Sequence, residues 1–239
     1  MNCEILTIPC LADNYAFLLH CNTTGTTALI DVPEAAPVLA ALAQKGWALD
    51  MVLLTHHHWD HIDGLPDLLA ETSPKIVGAA KDVDRLPKLD IALNEGDEFT
   101  VGDLKGRVID VSGHTINHIA FAFEGAVFTG DSLFSLGCGR VFEGTMPMMH
   151  ESLQKLAALP PDTMVYSGHE YTLENAKFSL TIEPDNAALQ VRIKDIKRLR
   201  AAGIPTVPSL LSLELATNPF LRAQSAESFA KIRTAKDSF

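Results

Sequence analysis

The stretch Thr55-His56-His57-His58-Trp59-Asp60-His61 packs more metal-binding side chains together than any other part of the sequence. It directly follows Asp50-Met51-Val52-Leu53-Leu54, an apolar run that reads as a buried strand. Its donors therefore sit where a rigid strand ends and a loop begins. His56 and His58 are two apart, so an extended backbone points both to one side. Asp60 and His61 follow as the chain turns, while the same alternation casts His57 and Trp59 as packing residues. Imidazole nitrogen mixed with carboxylate oxygen suits zinc, iron or manganese.

Three further units repeat one pattern, in which an apolar run meets glycine and then a donor. They are Val111-Ser112-Gly113-His114, Val127-Phe128-Thr129-Gly130-Asp131 and Val165-Tyr166-Ser167-Gly168-His169. A lone His or Asp after a strand is usually a turn residue, but three beside a dense loop form a set. Seven donors exceed what one four-coordinate ion uses, so two ions per chain are expected. A carboxylate has two oxygens and can bridge them, and Asp131 is the natural bridge. His118 reads mainly as a packing residue, with a place behind the ligands as the alternative. Cys138 as a nucleophile would need a basic partner, and the nearby histidines are committed to metal.

The elements that must carry these donors alternate in type. Strands are expected at residues 4–8, 15–20, 28–31, 75–77, 98–101, 107–111, 119–123, 126–129 and 163–166, and helices near 33–44, 64–71 and 148–159. After Gly168 only helices are expected, one carrying Leu189, Ile193, Ile196 and Leu199 with Asp185 as its N-cap, others at 209–216 and 226–236, the last capped by Ser225. The pattern predicts an α/β body over residues 1–165 and a small all-α domain over 166–239.

Composition limits the partners. The formal net charge of −11 disfavours nucleic acid and anionic membranes. Residues 1–165 hold 9 Lys and Arg against 22 Asp and Glu, or −13, whereas 166–239 hold 10 against 8, or +2, enough for a local anion site. The four cysteines form no CxxC pair, no run approaches the ~18 apolar residues of a membrane helix, and Met1-Asn2-Cys3-Glu4 lacks a basic leader. Reduced thiols in a cytoplasmic protein are expected.

The loop His56-His57-His58-Trp59-Asp60-His61 has the HxHxDH form of the metallo-β-lactamase superfamily. Gly113-His114-Thr115, Thr129-Gly130-Asp131-Ser132, Gly137-Cys138-Gly139-Arg140, Phe142-Glu143-Gly144-Thr145, Gly168-His169-Glu170-Tyr171-Thr172 and Asn218-Pro219-Phe220-Leu221-Arg222 resemble, more closely, the glyoxalase II or hydroxyacylglutathione hydrolase family. The resemblance implies a metallo-β-lactamase-like αββα sandwich with a C-terminal helical substrate domain. It implies that His56, His58 and His114 hold one divalent ion, that Asp60, His61 and His169 hold a second, and that Asp131 bridges them. Zinc is the expected metal, with iron or manganese as alternatives. Arg140, Phe142, Tyr171, Arg233 and Lys236 would bind the glutathione moiety, Arg140 and Phe142 standing where some members carry Lys and Tyr.

The implied reaction is hydrolysis of S-(2-hydroxyacyl)glutathione thioesters such as S-D-lactoylglutathione, in methylglyoxal detoxification. A metal-bridging hydroxide would attack the carbonyl, with Asp60 and Asp131 as the catalytic carboxylates and a monomer as the working form. The alternatives are a lactonase or phosphodiesterase on the same scaffold, or a mononuclear iron dioxygenase acting on glutathione persulfide.

Overall fold

The computed structural model describes residues 2–239, which form two compact units, residues 2–110 with 119–124 and residues 111–118 with 125–239. In the first unit β1 (Cys3–Cys10), β2 (Asn14–Cys21), β3 (Thr27–Ile30), β4 (Met51–Leu53), β5 (Lys75–Ala79) and β6 (Ile91–Leu93) make one sheet in that order. The first three strands are antiparallel and the next three pairings parallel. Parallel neighbours need crossovers, and α1 (Ala35–Lys45) and the tandem α2 (Trp59–Ile62) and α3 (Leu65–Glu71) supply them. Helix α1 buries Ala35, Val38 and Leu42 and stops at Gly46, whose φ of 65° is the left-handed cap that glycine adopts cheaply. Leu18, Leu19, Leu29, Val52, Leu53 and Leu54 are fully buried. Each such leucine contributes roughly 1.5–3 kcal/mol by leaving water. A meander of β7 (Glu98–Val101), β8 (Leu104–Asp110) and β9 (Ile119–Phe123) completes this unit.

In the second unit β10 (Ala126–Gly130) pairs in parallel with β13 (Met164–Ser167), β13 pairs antiparallel with β14 (Ser209–Leu210), and β11 (Leu133–Phe134) and β12 (Gly137–Cys138) form a small hairpin. Helices α4 (Met146–Ala157), α5 (Thr172–Ile182), α6 (Ala187–Ala201), α7 (Leu211–Thr217) and α8 (Ala226–Asp237) surround them. Leu189, Ile193 and Ile196 of α6 pack with Leu136 and Ala176 into a buried cluster. Ser225 caps α8 in a capping box with Ser228.

Three expectations need correction. The region after Gly168 is not purely helical, because β14 adds a short strand to β13. The N-cap of α6 is Asn186, whose side chain accepts the Leu189 N–H, rather than Asp185. Trp59 is 64% exposed, since α2 begins at Trp59, directly after the extended His58, and a two-residue alternation no longer holds there. Among the described residues no helix is long and apolar enough to cross a membrane.

Candidate metal centre

In the first unit the donor loop leaves the end of β4 and is held from β3. Asp31 follows β3 with a left-handed φ of 56°. Its Oδ1 accepts the Thr55 N–H at 2.8 Å, and its Oδ2 accepts both the Thr55 hydroxyl and His61 Nδ1–H, each at 2.8 Å. The Thr55 hydroxyl has one proton, which goes to Asp31, so at 3.0 Å its oxygen accepts Nδ1–H from His56. Both rings are thus gripped through Nδ1, which leaves Nε2 as the nitrogen that His56 and His61 could each offer to a metal. The His56 ring centroid lies 4.2 Å from that of His61 and 4.7 Å from that of His58. Asp60 comes from the first turn of α2, and Asn14 donates to both its backbone oxygen, at 3.0 Å, and its Oδ2, at 3.1 Å. Asp31, His56 and His61 present donor atoms within 4.8 Å of one another. The Asp31 carboxylate accepts three hydrogen bonds from Thr55 and His61, and in this geometry it positions the His61 ring.

In the second unit the donors arrive singly. A register shift between Phe128 and Gly130 in the β10–β13 pair re-aims the chain just before Asp131. His114 Nδ1 donates to the Arg140 carbonyl at 2.8 Å, again leaving Nε2 as the nitrogen that could bind a metal. Asp131 Oδ2 lies 3.5 Å from His114 Nε2 and 3.3 Å from His169 Nε2. Those separations exceed the ~2.7–2.9 Å of an imidazolium–carboxylate hydrogen bond. Two ligands of one tetrahedral ion with bonds of about 2.0–2.1 Å stand about 3.3–3.4 Å apart, so the spacing fits a carboxylate and imidazoles sharing metal. His118 is fully buried and accepts the Asp131 N–H through Nε2 at 3.1 Å, so it supports the acid besides packing. A Cβ on Gly139 would lie 2.0 Å from the Asp131 carbonyl oxygen and 3.0 Å from His114 Nδ1; only glycine lets the chain pass so close.

The expected substrate residues all belong to this second unit. Tyr171 stacks on the His169 ring at 4.6 Å and is 37% exposed, while Phe142, 60% exposed, lies 5.2 Å from the His114 ring. Arg140 Nε and Arg233 converge on Asp237 Oδ1, at 3.4 and 3.0 Å. Arg233 is only 4% exposed and also donates to the Cys138 carbonyl at 2.8 Å. Lys236 stands apart from that pair, near the Glu174 carbonyl at 3.4 Å and over the Phe178 and Phe239 rings. Burial, with help from Arg233, lowers its pKa. Burial also pushes the Cys138 thiol up to about 11 in spite of Arg233, which removes it as a neutral-pH nucleophile.

The sequence reading passed over Asp31 and Thr55. Asp31 carries the signal used for Asp131, a strand running into an acid, but it lies far in sequence from the donor loop. It was parallel pairing of β3 with β4 that brought the two ends together.

The chain matches the family described as "Metallo-beta-lactamase superfamily" over residues 15–169 and belongs to that superfamily. Its fold is accordingly the metallo-β-lactamase fold with an appended helical region. A solved structure of ETHE1 from Myxococcus xanthus superposes with a TM-score of 0.74 at 28% identity, covering 98% of this chain and 90% of that one. Residues 170–239 match "Hydroxyacylglutathione hydrolase C-terminus". The hydroxyacylglutathione hydrolase of Jannaschia sp. (strain CCS1) is 59% identical over 99% of this chain and 98% of its own length. That of Ruegeria pomeroyi (strain ATCC 700808 / DSM 15171 / DSS-3) is 55% identical over the full length of both. Within the superfamily, the chain belongs to the hydroxyacylglutathione hydrolase family, whose members are metal-dependent hydrolases.

Proposed function

We propose that this protein hydrolyses S-(2-hydroxyacyl)glutathione thioesters, S-D-lactoylglutathione among them, to glutathione and the 2-hydroxy acid, as a step of methylglyoxal detoxification. The observation that carries the reading is end-to-end identity of 59% with a protein of that name. The donor spacing around Asp131 supports it. His56, His58 and His114 would hold one divalent ion and Asp60, His61 and His169 a second, with Asp131 shared between them; zinc is the proposed metal, with iron or manganese able to replace it. Such ions supply a water acidified from a pKa of about 15.7 to about 7 and polarise the thioester carbonyl.

The chain's own residues do the rest. Asp60 and Asp131 orient the attacking water and accept hydrogen bonds from it. Asn14 holds the Asp60 carboxylate in place. Tyr171 and Phe142 flank the reacting group from the His169 and His114 sides, and Arg140, Arg233 and Lys236 take the carboxylates of glutathione. The functional division falls at residues 165 and 166, with the mildly basic tail serving as the substrate domain. The working form is proposed to be a cytoplasmic monomer; cysteines that form no CxxC pair suit reduced thiols in that compartment.

The test is thiol release from S-D-lactoylglutathione by the purified protein, with metal content measured on the same sample. Release with about two ions per chain is expected. Oxygen uptake with glutathione persulfide and one iron per chain, without thiol release from the thioester, would replace this reading with the dioxygenase.

A further inference from the structure

His57 occupies a position that the HxHxDH pattern leaves open, and nothing in the proposed chemistry uses it. It is not simple packing. Its Nδ1 lies 3.1 Å from Asp82 Oδ2, and its Nε2 lies 3.4 Å from Arg85 NH1. Arginine can only donate, so Nε2 accepts and Nδ1 carries the proton that goes to Asp82. The Asp82 side chain is 1% exposed, and a carboxylate so buried requires compensation. Arg85 supplies it, with Nε at 2.6 Å and NH2 at 2.5 Å from Oδ1. The turn containing Asp82 does not depend on that carboxylate, because the Asp82 backbone carbonyl accepts the Arg85 and Leu86 N–H groups, each at 3.0 Å.

The latch spans two neighbouring strand ends. Strands β4 and β5 are parallel, and Leu54 N–H still donates to the Val77 carbonyl at 2.8 Å. Beyond that point one chain becomes the donor loop and the other the 3₁₀ turn Ala80–Asp82. His57 lies between His56 and His58, and His58 keeps extended backbone angles, φ −60° and ψ 141°. The His57 ring centroid lies 5.2 Å from that of His58, which in turn lies 4.7 Å from that of His56, so holding the middle ring restrains the rings beside it.

We infer that His57, Asp82 and Arg85 form a latch that positions His56 and His58 for metal binding, with all three acting as positioning residues. The inference rests on the ligand assignment proposed above. It is tested by stripping the metal from the full-length protein and measuring Zn2+ affinity by competition with a chromophoric chelator, for the parent, Asp82→Asn and His57→Phe. His57→Phe keeps a flat ring and leaves the Asp82–Arg85 pair intact, so it probes the latch even where Asp82→Asn fails to fold. Loss of such supporting partners costs about 10–100-fold in metal affinity, and a loss in that range is expected for each folded variant. The thermal midpoint of the metal-free His57→Phe protein should stay near the parent's, which separates positioning from general stability. Affinity within twofold of the parent in His57→Phe overturns the latch while leaving the ligand assignment standing. A parent that binds no Zn2+ overturns the assignment, and the latch with it.

Discussion

The two units supply candidate metal donors in opposite ways. In the first, His56, His58, Asp60 and His61 come from one loop, and a single carboxylate behind them, Asp31, grips Thr55 and His61 directly and His56 through Thr55. In the second, His114, Asp131 and His169 come from three separate strand ends, and their supports are equally scattered, namely the Arg140 carbonyl, the His118 ring and the β10 bulge. Donors crowded in sequence can be fixed by one local anchor. Donors that meet only in space depend on backbone approach, so they should tolerate steric change least.

The largest effect is expected where that dependence is most concentrated. Asp131→Asn keeps the size but removes the charge that the proposed pair of cations would need between them. A rate loss beyond the ~10–100-fold typical of supporting partners is expected, with metal content falling in parallel. Circular dichroism should show the protein folded. Activity within a few-fold of the parent would mean that Asp131 does not bridge.

Next comes Gly139→Ala, which sharpens the comparison without touching a donor. The added methyl meets backbone at 2.0 Å, where no side-chain rotation can relieve it. Asp131 and His114 must shift, and a rate loss of about tenfold or more is expected, since misplacement by about 1 Å can cost a hundredfold. Gly46→Ala, with open space around its Cβ, is the control; it should cost about 1 kcal/mol of stability and leave the rate unchanged. Equal rates for the parent and Gly139→Ala would show that the scattered donors are no more sterically constrained than the loop.

How far the sequence revealed the site follows the same contrast. The crowded loop was legible at once, and β7 and β9 fall at the expected residues 98–101 and 119–123. Helix α5 was not seen, and its buried face explains why. That face carries Thr172, Asn175 and Ser179 beside Ala176 and Phe178, so hydrophobic periodicity is missing. The polar groups are there for the β11–β12 hairpin: Asn175 donates to the Ser135 carbonyl and Ser179 to that of Leu136. From α7 Glu214 accepts the Leu136 N–H, and Asn218, which caps the end of that helix, donates to the Phe134 and Gly137 carbonyls. Leu136 sits at a φ of 57°, a left-handed conformation costly for leucine, and these contacts hold it there. The hairpin joins Asp131 to Arg140, so a helix written in hydrogen-bonding residues bears on both metal and substrate ends of one segment. The sequence casts His57 as a packing residue for a related reason, because its partners Asp82 and Arg85 lie on the next strand's exit and not in the loop.

A smaller effect is expected from the tail, where the two basic residues differ in setting. Each charge-assisted hydrogen bond to a glutathione carboxylate is worth roughly 1.5–3 kcal/mol, or about ten- to a hundredfold in affinity. Lys236→Ala should raise KM for S-D-lactoylglutathione by about tenfold with little change in thermal midpoint. Arg233→Ala should raise KM and also lower the midpoint, because it removes a buried donor to Cys138. Hydrolysis of a small thioester lacking the carboxylates should be unaffected by Lys236→Ala. Equal damage to both substrates would make the tail purely structural.

The smallest effect is a pH dependence, and its sign differs between binding and stability. Burial and the neighbouring Arg233 place the Lys236 pKa below the ordinary 10.5. Below that depressed value the amine is charged in folded and unfolded chains alike, and its partial burial costs stability. As pH climbs from the depressed value to 10.5 the folded chain loses its proton first, the unfolded chain binds more protons, and the contribution of this group to stability rises. Binding runs the other way, since the proton lost is the charge offered to a substrate carboxylate. KM for S-D-lactoylglutathione should therefore begin to rise on the alkaline side before 10.5 is reached, while KM for the small thioester does not. Lys236→Met should flatten that limb, leaving KM high at all pH values. An alkaline rise that survives in Lys236→Met would place the titrating group elsewhere and remove Lys236 from the glutathione contacts.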